Sequence, residues 1–191
     1  RQFLKYQYEN KKVAVNYCQL LSSIKFIKHR RLPSYFSADE INQLEKNIDK
    51  ANPIGKRDYA MILLAARLGL RSSDIIGLQF NNIVWERELV ILVQKKTNVK
   101  IELPLLPEVG EAIINYLKHG RPQSNLTYVF LCHTAPYGVM NISNFNSFLK
   151  KYLLLSGISF DERHHGPHAL RHSLATSLLQ KETPLPVISE I

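Results

Sequence analysis

His168-Ala169-Leu170-Arg171-His172-Ser173-Leu174-Ala175-Thr176-Ser177-Leu178-Leu179 follows directly on Gly166-Pro167. Leu170, Leu174, Leu178 and Leu179 recur at helical spacing, so the stretch predicts a helix that buries its leucines. His168 and Arg171 are three residues apart and share a face at the helix start. The first turn carries the positive end of the helix dipole, which favours an anion such as phosphate. One histidine and one arginine make a weak site alone. Partners must come from elsewhere in the chain.

The 191 residues suffice for one full domain with a core and part of a second. An apolar content of 45%, with nine tyrosines and eight phenylalanines, excludes a disordered chain. No apolar run approaches ~20 residues, so no segment reads as a membrane-spanning helix. No secretory signal opens the sequence, and a start at Arg1 reads as a fragment. Cys18 and Cys132 form no metal or redox motif and read as reduced thiols of an intracellular protein.

The net charge is +9 and uneven. Residues 1–31 hold eight basic side chains against Glu9 alone, or +7; the other 160 residues carry +2. A basic front attached to a near-neutral domain points to a polyanion partner, with nucleic acid favoured over a membrane surface. The plainer alternative is a solvated basic linker.

Residues 1–12 read as the end of a helix, with Phe3, Leu4 and Tyr8 as its apolar spots. Residues 13–33 lack a clean period, end in Lys28-His29-Arg30-Arg31-Leu32-Pro33, and read as a linker to a boundary near Arg31. Ser37-Ala38-Asp39-Glu40 is a capping box opening a helix to about Asp49. Asn52-Pro53-Ile54-Gly55 reads as a break. The helix from Arg57 to Leu68 is apolar nearly all round and belongs at the centre of the core, with Gly69 as its stop. A short helix capped by Ser72 or Ser73 follows.

From Asn82 the period changes. Ile83-Val84-Trp85, Leu89 to Val93, and alternating Val99, Ile101, Leu103 and Leu105 predict a three-stranded antiparallel meander. Its turns are Glu86–Glu88 and Gln94–Asn98. A helix after Pro107, an extended piece at Tyr128–Leu131, a helix capped by Ser143 and ended by Gly157, and the quoted helix complete the reading. The last apolar segment holds Leu185, Val187, Ile188 and Ile191. The fold class is mainly α with a small three-stranded antiparallel β-sheet.

Arg71 stands where the core helix ends, in Gly69-Leu70-Arg71-Ser72-Ser73-Asp74. An arginine beside so apolar a helix must be paired or used. Asp74 is the candidate to orient it. Lys95 and Lys96 lie at a strand turn, where lysines are ordinarily just solvated; alternatively, one swings to a phosphate and donates a proton. His164, His165, His168 and His172 raise a zinc reading through the i, i+4 pair. Arg171 at the same place, and no intervening Glu, argue against a metal.

The order of these elements resembles the catalytic domain of the tyrosine recombinases, the phage integrase family. The resemblance rests on Gly69-Leu70-Arg71-Ser72-Ser73-Asp74, on Lys96 eight residues before Pro104-Leu105, and on His168-Ala169-Leu170-Arg171-His172. Leu32-Pro33 and the capping box resemble the family's usual entry, so the likeness covers roughly residues 31–191. Gln94-Lys95-Lys96-Thr97 is most similar to integrases of mobile elements.

The resemblance implies cofactor-free and metal-free transesterification of double-stranded DNA, in a homotetrameric synaptic complex, in the bacterial cytoplasm at the nucleoid. It gives Arg71 and Arg171 the non-bridging phosphate oxygens. Lys96 becomes the general acid, with Lys95 as fallback, and His168 assists proton transfer. Asp74 holds Arg71, and His172 is structural. Residues 1–30 become the end of an N-terminal core-binding domain and a basic linker, with Lys25, Lys28, Arg30, Arg31 and Lys95 as DNA contacts. Residues 31–191 become the catalytic domain.

The family also carries a histidine or tryptophan and then, roughly 30 residues after the second arginine, a tyrosine that forms a covalent 3′-phosphotyrosyl link. Twenty residues follow Arg171 here. The expectation is therefore a C-terminally truncated catalytic domain that binds DNA without cleaving it. A non-catalytic DNA-binding regulator that kept the fold is the alternative, and a metal-dependent hydrolase built on the histidines a third reading.

Overall fold

The computed structural model describes residues 2–17, 34–160, 163 and 165–184. The chain divides into two compact units, residues 1–32 and 33–191. In the first, α1 (Gln2–Glu9) buries no residue. Lys5 and Glu9 pair along it at 3.6 Å. The predicted DNA contacts Lys25, Lys28, Arg30 and Arg31 lie outside the described residues, as does the apolar segment from Leu185 on.

The second unit is organised around α3 (Pro53–Arg67). Ala60 to Ala65 are fully buried, as an all-round apolar helix requires. The helix starts four residues before the expected Arg57. Asn52 is not part of a break but the N-cap: its Oδ1 accepts from Gly55 N at 2.6 Å, and Pro53 fills the first helical position. Gly55 is obligatory here, because a Cβ would sit 1.8 Å from the Asp49 carbonyl oxygen. Before α3, α2 (Ala38–Lys46) opens on the predicted capping box: Ser37 Oγ accepts from Glu40 N at 3.1 Å and Ser37 N donates to Glu40 Oε2 at 2.8 Å.

After α3, Gly69 takes a left-handed φ of 63° and turns the chain. The short α4 (Ser72–Ile76) follows, with Arg71 rather than a serine at its N-cap. The meander is antiparallel in the order β1 (Ile83–Val84), β2 (Leu89–Val93), β3 (Lys100–Pro104). Val90 faces Leu103 and Leu92 faces Ile101. Val90 and Leu92 turn inward, as the alternation requires.

Helix α5 (Pro107–His119) packs on α3 and buries Val109, Ile113 and Tyr116. Tyr128 and Leu131 make isolated bridges, not a strand. Helix α6 (Ile142–Leu155) is capped by Asn141, not Ser143. Asn141 and Asn144 exchange side chain-to-backbone bonds of 2.9 and 2.8 Å, closing both ends of a box that Ser143 cannot form.

Helix α7 (Pro167–Gln180) is the last helix among the described residues, packed on α3 and α6. Its buried face is Ala169, Leu170 and Ser173, and Ser173 Oγ accepts from Phe36 N at 2.7 Å. The expectation that it buries all its leucines is corrected. Leu174 and Leu178 lie at the edge of that face and are half-buried, and Leu179, turned away from it, is 55% exposed. The four leucines spread over too wide an arc for one contact face.

Candidate functional site

Arg71 leaves the end of α3 in extended conformation, half-buried. Its Nη1 donates to Gln94 Oε1. That differs from the expected pairing with Asp74. Asp74 is buried and spends Oδ1 on Lys95 N, at 3.0 Å, and on Ser73 Oγ, at 3.4 Å. Its Oδ2 is buried with no hydrogen-bond partner.

The lysine turn, residues 95–97, is strapped down by its neighbours. Gln94 N donates to Val99 O and Asn98 N to Gln94 O, both at 2.9 Å. Asn98 adopts a left-handed φ of 55°. The two lysines part company here. Lys95 lies over Gly77, where an added Cβ would meet its Nζ at 2.6 Å. Lys96 is exposed and near enough to His168 to act on its ionisation.

His168 and Arg171 open α7, with Gly166 at the N-cap and Pro167 at the first position. Arg171 Nη1 donates to the Gly69 carbonyl, tying the helix to the turn that delivers Arg71. Desolvation first, then the Arg71 charge, draw the Arg171 pKa below the usual arginine value, with Asp74 opposing. The His168 pKa is also lowered: partial desolvation comes first, then His172, Arg171, Lys96 and Arg71. Four groups from three separate parts of the chain therefore share one electrostatic neighbourhood. Positive charge predominates in it, which suits an anion with several oxygens.

Beside this cluster an open cleft of about 910 Å³ is lined by Ser72, Asn146, Lys150, Arg163, His168 and His172, among others. Arg163 holds the loop before α7 by donating to both carboxylate oxygens of Glu40, at 2.8 and 3.2 Å. His165 is occupied structurally. Its ring lies 4.4 Å from that of Phe160, and its Nδ1 is 3.2 Å from Arg163 O. Among the described residues no three His, Cys, Asp or Glu side chains are placed to hold a metal ion, and His164 lies outside them.

Gln94 is the residue that reading the sequence missed. The signal was present: Val90 and Leu92 point inward, so Gln94 is the next inward position. A polar side chain there needs a buried partner, and Arg71 is that partner.

The fold is that of tyrosine recombinase catalytic domains. The Tn1549 transposon integrase, solved in complex with a circular intermediate DNA, superposes with a TM-score of 0.75 at 15% identity, over 97% of this chain and 66% of that one. The phage integrase family model matches residues 34–191, and the chain belongs to that family, the tyrosine recombinases. Putative integrase/recombinase y4rA of Sinorhizobium fredii is 38% identical over 161 residues, covering 84% of this chain and 38% of y4rA. Putative integrase/recombinase y4gC of the same organism is 33% identical over 161 residues, covering 84% of this chain and 82% of y4gC. The chain thus spans well under half of one curated relative and most of the other.

Proposed function

We propose that the intact protein is a site-specific DNA recombinase or integrase of a bacterial mobile element, acting on double-stranded DNA through a covalent phosphotyrosyl intermediate. The observation that carries this reading is the convergence of Arg71, Lys96, His168 and Arg171, close enough that the other three all depress the His168 pKa. Such a cluster is costly without an anion, because like charges repel at short range. A scissile phosphate relieves that cost.

In this reading Arg71 and Arg171 bind the two non-bridging oxygens and neutralise the charge that grows as phosphorus becomes five-coordinate. A tyrosine hydroxyl attacks phosphorus, the P–O5′ bond breaks, and the departing 5′-oxygen takes its proton from Lys96. Lys95 is the weaker candidate for that step, because its amine lies over Gly77. His168, whose pKa is lowered first by desolvation and then by its cationic neighbours, is placed both to accept the tyrosyl proton and to donate to the phosphate. Asp74 acts through Lys95 N, fixing the turn that carries Lys96. The proton moves and charge stabilisation need no metal ion.

Beyond the site, residues 1–30 form the end of a core-binding domain and a linker, and Lys25, Lys28, Arg30 and, just after it, Arg31 contact phosphates. The active assembly is a homotetramer on DNA, in the cytoplasm at the nucleoid. A nicked suicide duplex carrying the recombination site, incubated with the full-length protein, tests the central claim. The expected result is a trapped covalent adduct that Arg171→Ala abolishes. Binding without any adduct would make the protein a DNA-binding regulator that kept the fold.

A further inference from the structure

We propose that Gln94 is a positioning residue that sets the lysine turn against Arg71, so that the proton donor and the phosphate clamp move as one unit. The inference rests on the reading of Lys96 as general acid. Gln94 is 5% exposed. Its Oε1 accepts from Arg71 Nη1 and from Thr97 Oγ1, the latter at 2.6 Å, which occupies both lone pairs. Its backbone closes the same turn at both ends, through Val99 O and Asn98 N. One residue thus ties the arginine to the far side of the loop that carries Lys96.

The second strap is Asp74 Oδ1 to Lys95 N, and the third is Lys95 itself, laid over Gly77. Together they fix the residue before Lys96 and the residue after it. Lys96 lies exposed at the crest between them.

The chemistry of the acceptor matters. A glutamate at position 94 would hold Arg71 equally well but cancel its charge. A carboxamide orients the guanidinium and leaves its charge available to an anion.

The test compares two nicked suicide duplexes, one ordinary and one with sulfur replacing the 5′-bridging oxygen at the cleavage site. A thiolate leaves without a proton, since thiols ionise near ~8.5, so the sulfur duplex bypasses the general acid. Full-length Gln94→Ala is expected to cleave the ordinary duplex roughly 10- to 100-fold more slowly, part of the ~10²–10⁴ that a placed proton donor contributes. It should recover most of that loss on the sulfur duplex, as Lys96→Ala should, and the remainder measures the loosened Arg71. Gln94→Glu should be slow on both duplexes, because it weakens the clamp. Thr97→Val, which leaves the Arg71 bond in place, should show a smaller loss with the same rescue, and it carries the test if Gln94→Ala does not fold.

Wild-type rates for Gln94→Ala on the ordinary duplex would overturn the proposal. So would a loss that persists on the sulfur duplex for both Gln94→Ala and Thr97→Val. If the wild-type protein forms no adduct with either duplex, the recombinase reading fails first and takes this one with it.

Discussion

Arg57 on α3 and Arg171 on α7, which packs against α3, are both drawn away from solvent, yet their partners differ in kind. Arg57 donates through Nε and Nη2 to Asp58 Oδ1, at 2.9 and 2.7 Å, and through Nη1 to Leu131 O at 3.1 Å. Tyr152 OH completes the set on Asp58 Oδ2 at 3.1 Å. Charge is matched by charge, and every partner is protein. Arg171 donates to a neutral carbonyl and Arg71 to a neutral amide. Both guanidinium groups are held by neutral acceptors, and the charge of Arg171 is offset only in part, at a distance, by Asp74. The first arrangement is complete as it stands; the second is the one that the phosphate proposed above would complete.

Substitution at each region should separate stability from chemistry. Arg57→Ala leaves Asp58 buried without its counter-ion. Burial already raises the Asp58 pKa against the pull of Arg57, so losing Arg57 pushes it further up and leaves the group either charged and unpaired or forced to take up a proton. The expected loss is about 3–5 kcal/mol of folding stability, read from urea unfolding of the full-length protein. A loss under about 1 kcal/mol would mean that the pair is not structural and that the contrast is false.

That contrast was only partly legible in the sequence. Helix α3 was, because eight successive residues from Tyr59 to Ala66 are large apolar, alanine or aromatic, and no other placement hides them. The set Arg71, Lys96, His168 and Arg171 was legible only through the resemblance of its order to that of the tyrosine recombinases, since each motif alone is weak. What was not legible depends on contacts between distant residues. Gly77 accommodates Lys95 from eighteen positions away, and Gln94 rather than Asp74 meets Arg71. The caps Asn52 and Asn141 are hidden in the sequence because Asn-Pro also marks turns, and the nearby Ser143 is a competing signal. The leucines of α7 misled because spacing gives a face but not the width of the contact.

The middle-sized effect is chemical. Arg171→Ala or Arg71→Ala should slow covalent adduct formation by roughly 10²–10³-fold, the usual cost of one preorganised charge-stabilising donor. Their unfolding curves should match the wild type or shift towards greater stability, since each removes one of two mutually repelling cations. Lysine at either position should not restore the rate, for lack of a forked donor. Unfolding at these sites comparable to that of Arg57→Ala would erase the distinction between the two regions.

The smallest effect is also the most direct probe of the uncompensated charge. In the free protein the His168 pKa lies below its ordinary value of 6.5, through desolvation and then four cationic or titrating neighbours. A phosphate placed among those neighbours offsets their charge and raises the pKa. The bound pKa then exceeds the free one, so binding takes up protons between the two, and affinity rises as pH falls through that window. The slope is at most about tenfold per pH unit for one proton. The free protein has the opposite dependence: its folded pKa is below the unfolded value, so stability is lost as pH falls from 6.5 towards the folded pKa. Calorimetric titration of a cognate duplex near pH 6, in two buffers of different ionisation heat, measures the uptake. Wild type should take up more protons than His168→Gln, and the variant should also lose part of the acid destabilisation. Equal uptake by the two proteins would mean that no phosphate reaches His168.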